Sequence, residues 1–105
     1  MTQLQKLFNN FNRLFFGGKL PKVPVRWKVN LIATEGALGI CYQDKIFLSP
    51  KLKIDARFVC LILLHEMAHL KFFSLNRPRA GHGRAWHKEM IRILKRAATL
   101  KVTCY

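Results

Sequence analysis

The chain has 105 residues, which is one domain's worth. Half of them are hydrophobic, so a real core is possible at this size, yet no apolar run is long enough to cross a bilayer. Nineteen lysines and arginines face five acidic residues, a formal net charge of +14 that implies a polyanionic partner, nucleic acid before an acidic membrane surface. The three cysteines, Cys41, Cys60 and Cys104, form no CxxC pair. That odd set argues against a disulfide framework and against a cysteine zinc site. The opening residues, Met1 to Lys6, lack the form of a secretory signal, so the expected location is cytoplasmic or nucleoid- or chromatin-associated, not secreted.

In chain order, the first predicted element is an amphipathic helix. Thr2 caps it, Leu4, Leu7, Phe8, Phe11, Leu14 and Phe15 recur at helical spacing, and Gly17-Gly18 ends it. Pro21 and Pro24 keep the next stretch extended. Val25 to Val29 alternates apolar and basic residues, the pattern of a half-buried strand. Leu31 to Leu38 is less regular, with a turn or bulge at Gly36. Ala37–Tyr42 and Lys45–Leu48 read as a hairpin turning at Gln43-Asp44. Ser49-Pro50 breaks that strand, and Asp55 is a good N-cap for a helix from Ala56 to about Phe73. A basic loop follows, with Arg77 and Arg79. The last helix runs from about Arg84 to Leu100, with Trp86, Met90, Ile93, Leu94 and Ala97 facing inward. Arg84, Lys88, Arg92, Lys95 and Arg96 fall at i, i+4, i+8, i+11 and i+12, one continuous basic stripe and the candidate nucleic-acid-binding surface.

The chemistry concentrates in His65-Glu66-Met67-Ala68-His69, an HExxH pentapeptide behind the apolar run Phe58–Leu64. Residues four apart share a helix face, so two imidazoles at this spacing can present nitrogens to one ion. Glu66 follows the first and can reach a water on that ion as a general base. This is the arrangement a zinc hydrolase needs. The helix is apolar almost all round, which marks it as buried, and buried imidazoles and a carboxylate are costly without partners. A catalytic zinc takes a third protein ligand. The remaining candidates are His82 in Gly81-His82-Gly83, Glu89 on the next helix, and His87, in that order; the plainer reading of His87 is a partly exposed helix histidine.

Leu64–His69 together with Gly81-His82-Gly83-Arg84-Ala85-Trp86 resembles the SprT-like metalloprotease family. Leu7–Asn12 with Leu20-Pro21, Gly39–Tyr42 and Ile46–Ser49 are similar to its upstream part, so the resemblance covers nearly the whole chain. It implies an α+β, zincin-like single domain over residues 1–105: an N-terminal helix, a small antiparallel sheet, the HExxH metal helix and a C-terminal basic helix. It also implies Zn2+ held by His65, His69 and His82, with Glu66 as catalytic base.

The function the resemblance implies is a DNA-activated protease acting on proteins trapped on DNA. Its partners would be protein substrates and single-stranded or partly unpaired DNA, with no membrane, and a monomer is expected. Tyr42, Arg84 or His87 would supply the oxyanion donor. Trp27 or Trp86, if exposed, would stack on an unpaired base, although both sit in patterns that suit core packing. The rival readings are a DNA-independent metalloprotease and a non-enzymatic DNA-binding module with a structural zinc. A nuclease is weaker, because nuclease metals generally sit among carboxylates and this chain's few acids are scattered.

Overall fold

In a computed structural model, the structure describes residues 2–74 and 83–100. The first helix, α1 (Gln3–Phe16), is capped as its sequence requires: the Thr2 hydroxyl accepts from the Gln5 N–H at 3.1 Å. Leu4, Phe8, Phe11 and Phe15 are buried. Gly17 ends the helix at φ 60°, a left-handed conformation that costs glycine little. Asn12 is buried, and its amide both accepts from and donates to the backbone of Leu20 at 3.1 Å, folding the chain back after the glycine turn. Gln5 bonds Val23 and Val25 in the same way and sets the first strand, β1 (Val25–Trp27), beside α1.

The sheet is mixed, not antiparallel as expected. The strand order is β1-β3-β2, with β2 spanning Gly39–Cys41 and β3 spanning Ile46–Leu48. β2 and β3 form the predicted hairpin, closed by Tyr42 N–H to Lys45 C=O at 2.8 Å. β1 runs parallel to β3, with Val25 opposite Ile46. The cause lies in the connection. The chain leaves β1, passes through a short helix, α2 (Leu31–Glu35), and lays β2 at the far edge before β3 returns between the two. Alternation in a sequence marks a strand but not its direction. Asn30, at φ 66°, opens α2, and buried Leu31 anchors it.

Ser49 caps a 3-10 turn over Pro50–Ile54, and Asp55 then caps α3 (Ala56–Ser74), accepting from the Arg57 N–H at 2.9 Å. α3 is the centre of the molecule, packed against β2, β3 and the 3-10 turn, and against α4 (Arg84–Leu100). Leu63, Met67, Ala68 and Leu70 are wholly buried, while Phe58 and Leu61 leave the first turns partly open. Cys60 is buried and disulfide-bonded, a correction to the reading of the cysteine count; Cys41 is free. Count and spacing do not report which thiols the fold brings together. Trp86, Met90 and Ile93 of α4 face inward as expected, but Leu94 is 49% exposed. Four residues before it, Met90 already fills that line of the helix against the core.

Candidate metal centre

The HExxH residues lie in the middle of α3, where the helix is held from both sides. His65, Glu66 and His69 offer ligand atoms within 4.8 Å of one another, a set able to hold a metal ion. The two imidazole centroids are 5.0 Å apart, and Glu66 Oε2 is 3.9 Å from His65 Nε2. Two imidazoles and a carboxylate are the donor chemistry of zinc and similar divalent ions. His82, the third ligand implied by resemblance, lies outside the described residues.

Glu66 is only 6% exposed, and burial pushes its carboxyl up to about 7. The strand above it explains the burial. A Cβ at Gly39 would sit 2.8 Å from Ile62 Cγ2 and 3.1 Å from Glu66 Oε2. Only a residue with no side chain lets β2 lie this close to the carboxylate. A lone glycine in a strand signals such an approach, so this feature was open to sequence reasoning, which passed over it. Cys41, on the same strand, has its thiol pushed up to about 12 by burial and by the charge of Glu66. It is a neutral thiol beside Glu66, and its sulfur is not part of the cluster that His65, Glu66 and His69 form.

Trp86 walls the other side. Its ring is 4.6 Å from His65, edge to face, and 5.5 Å from His69, stacked. The core reading of Trp86 therefore holds, with the two imidazoles as part of what it packs against. His87 is exposed and meets Trp86 edge-on at 5.2 Å, the plainer of its two readings. Trp27 is half-buried under the Lys53 ammonium, 4.8 Å from its ring.

Glu89 belongs to a different structure. Its carboxylate accepts from Lys71 Nζ at 2.7 Å and from Arg92 Nε at 2.9 Å, and Arg92 Nη2 pairs with it as well. Burial opposes the charge, but the hydrogen bonds from Arg92 and Lys71 outweigh it and hold the carboxyl below the usual range. A carboxylate committed to two cations is not offered to a metal. The basic residues of α4 also divide. Arg84, Lys88 and Lys95 are exposed. Arg92 and Arg96 reach across to α1, where Arg92 Nη2 donates to Phe15 C=O at 2.6 Å and Arg96 Nε to Leu14 C=O at 2.8 Å.

A buried HExxH turn beneath the edge of a small mixed sheet defines an α+β metal-site domain of the zincin-like kind. Residues 4–105 match the SprT-like family, and the chain belongs to it. It is 42% identical over 100 residues to the Homo sapiens protein named DNA-dependent metalloprotease SPRTN, covering 86% of this chain and 20% of that protein. The Bos taurus SPRTN is 39% identical over 112 residues, 97% of this chain and 22% of the relative. The Caenorhabditis elegans DNA-dependent metalloprotease dvc-1 is 34% identical over 115 residues, 97% of this chain and 30% of the relative. The chain thus spans less than a third of each of these relatives.

Two outcomes are expected. In the fold Glu66 keeps its proton up to about pH 7, against 4.5 ordinarily, so its burial costs nothing below pH 4.5 and progressively more as pH rises through 7. In metal-stripped protein, urea unfolding should show Glu66→Gln gaining on wild type by up to about 3 kcal/mol between acid and alkaline pH. A gap that does not change with pH would remove desolvation as the cause. Glu89→Ala should keep its metal. It should also lose about 2 kcal/mol, less than a fully buried pair, because Lys71 and Arg92 are 36% and 43% exposed. Metal loss in that variant would return Glu89 to the ligand set.

Proposed function

We propose that this chain is the proteolytic domain of a zinc-dependent endopeptidase that acts on proteins bound or crosslinked to DNA. The observation that carries the peptidase half is the cluster on α3, where His65, Glu66 and His69 bring their donor atoms within 4.8 Å on a buried helix. His65, His69 and His82 are the proposed ligands. A zinc ion there would supply a Lewis acid that acidifies water and polarises a peptide carbonyl.

The remaining work falls to the chain's own residues. Glu66, with a proton affinity matched to neutral pH, takes a proton from the attacking water and passes it to the departing amine. β2 is an edge strand among the described residues, and it crosses directly over Glu66. A substrate segment added alongside β2 would be held by main-chain hydrogen bonds with little dependence on its sequence. Trp86 excludes water from one side of both imidazoles.

The DNA half rests on the charge of +14 and on the names of the relatives, DNA-dependent metalloproteases in human and nematode. Sequence-tolerant contacts to phosphates would concentrate the enzyme on DNA-bound proteins.

The test is cleavage of a basic DNA-binding protein by wild type and by Glu66→Ala, with and without single-stranded DNA. Wild type is expected to cleave only with DNA present. Glu66→Ala should keep its zinc and lose at least about a hundredfold in rate. Cleavage regardless of DNA would leave a peptidase without the DNA role, and undiminished turnover by Glu66→Ala would overturn the mechanism. Separately, His82→Ala should bind zinc poorly in a metal-content assay; full zinc occupancy would require another third ligand.

A further inference from the structure

A cavity of about 590 Å³ opens where the C-terminal end of α1 meets α3 and α4. Five cationic side chains line it: Arg13 and Lys19 around the glycine turn, Lys71 of α3, and Arg92 and Arg96 of α4. Among the described residues, none that lines it is acidic. The chain has five acidic residues, and one of them, Glu89, is already shared between Lys71 and Arg92 of this wall. Of the other four, Glu35, Asp44 and Asp55 lie on other elements or loops, and Glu66, although on α3 with Lys71, belongs to the HExxH cluster and does not line the cavity. Like charges gathered with so little compensation repel one another, and a bound anion relieves the repulsion.

The wall is also fixed in place. Arg92 is held by Glu89, by the carbonyl of Phe15 and over the Phe16 ring at 5.7 Å. Arg96 is held by the carbonyl of Leu14 through Nε, one of its five N–H donors. Guanidinium groups positioned this way suit the oxygens of a phosphate, which they can bind as a fork. Lys19 has no ion-pair partner among the described residues and adds an ammonium to the lining. The cavity is several times larger than one phosphate, which suits a chain of nucleotides. Lys71 lies two residues beyond His69, on the opposite face of α3, so a strand seated here would not obstruct the metal centre.

We infer that the α1–α4 cavity is the seat of a nucleic-acid strand, binding its phosphates through Arg13, Lys19, Lys71, Arg92 and Arg96, and that the outward stripe of Arg84, Lys88 and Lys95 is only a diffuse field around it. This rests on the nucleic-acid half of the function proposed above and names where it acts. Two of the five stripe residues thus belong to the seat, joined by three cations that the stripe does not contain.

The experiment is fluorescence anisotropy of a labelled single-stranded oligonucleotide with the full chain across a range of salt. Arg13→Ala with Lys19→Ala leaves the hydrogen bonds of Arg92 and Arg96 to the α1 carbonyls in place. It is expected to weaken binding at least about tenfold and to lower the slope of log affinity against log salt by about one, as loss of one or two phosphate contacts would. Arg96→Ala should do the same in part. Lys88→Ala with Lys95→Ala, matched in charge and on the same helix, should change affinity less than about threefold. Equal losses in the two pairs, or a larger loss in the α4 pair, would overturn the cavity as the seat while leaving the DNA reading standing. Wild type with no affinity for the oligonucleotide would overturn both. A mononucleotide that binds as tightly as the oligonucleotide would assign the cavity to a small phosphate compound instead.

Discussion

The whole site depends on the burial of α3. A helix apolar on nearly every side has to be covered over much of its surface, and the sheet, the 3-10 turn and α4 do this beyond its partly open first turns. Glu66 of the HExxH turn is carried into the core with it, and His65 and His69 are left half-buried beside it. Gly39 sets how tightly they are enclosed, because any side chain there would meet Ile62 and Glu66. Burying a carboxyl without a cation beside it opposes its ionisation, and the proton affinity of Glu66 rises accordingly. Packing and chemistry are here one arrangement, since the close approach of β2 that removes water from the core also tunes Glu66, the proposed base.

A second carboxylate shows the opposite treatment. Glu89 is as buried as Glu66, yet it is held as an anion, because Lys71 and Arg92 hydrogen-bond to it from two helices. Through Arg92 this group continues to the last carbonyls of α1, so one network ties α1, α3 and α4 together. The cations there also favour the negative end of the α1 dipole. The environment of each glutamate, and not its place in the sequence, separates a candidate base from a structural anion. Spacing alone had left Glu89 open as a metal ligand.

Much of this was legible before any coordinates. The helix caps at Thr2 and Asp55, the stop at Gly17 and the HExxH helix are local features, fixed by side chains reaching the adjacent backbone or by a period of 3.6 residues. The direction of β1 was not legible, because it follows from where α2 returns the chain. Nor was the division of the basic stripe. Helical spacing puts Arg92 and Arg96 with Lys88 and Lys95, but their partners lie some eighty residues earlier in the chain, on α1. The disulfide state of Cys60 was not legible either, since an odd cysteine count does not tell which thiols are oxidised.

The desolvation of Glu66 works against stability and for chemistry at once. A carboxyl with an ordinary affinity would be a weaker base at neutral pH and, although the stronger acid, would seldom hold a proton there to give to a departing amine. One poised near 7 serves in both directions, because proton transfer is most effective when donor and acceptor are matched to the operating pH. A nearby dication would favour the ionised form and draw the affinity down, so the burial sets a high starting point from which a bound metal would lower it. Cys41 marks the limit of the same effect. Its thiol shares the enclosure and feels the Glu66 charge, and it remains neutral. The pocket thus raises the proton affinity of every acid that faces it, and the two imidazoles, neutral when they coordinate, are the groups that such an enclosure suits as metal ligands.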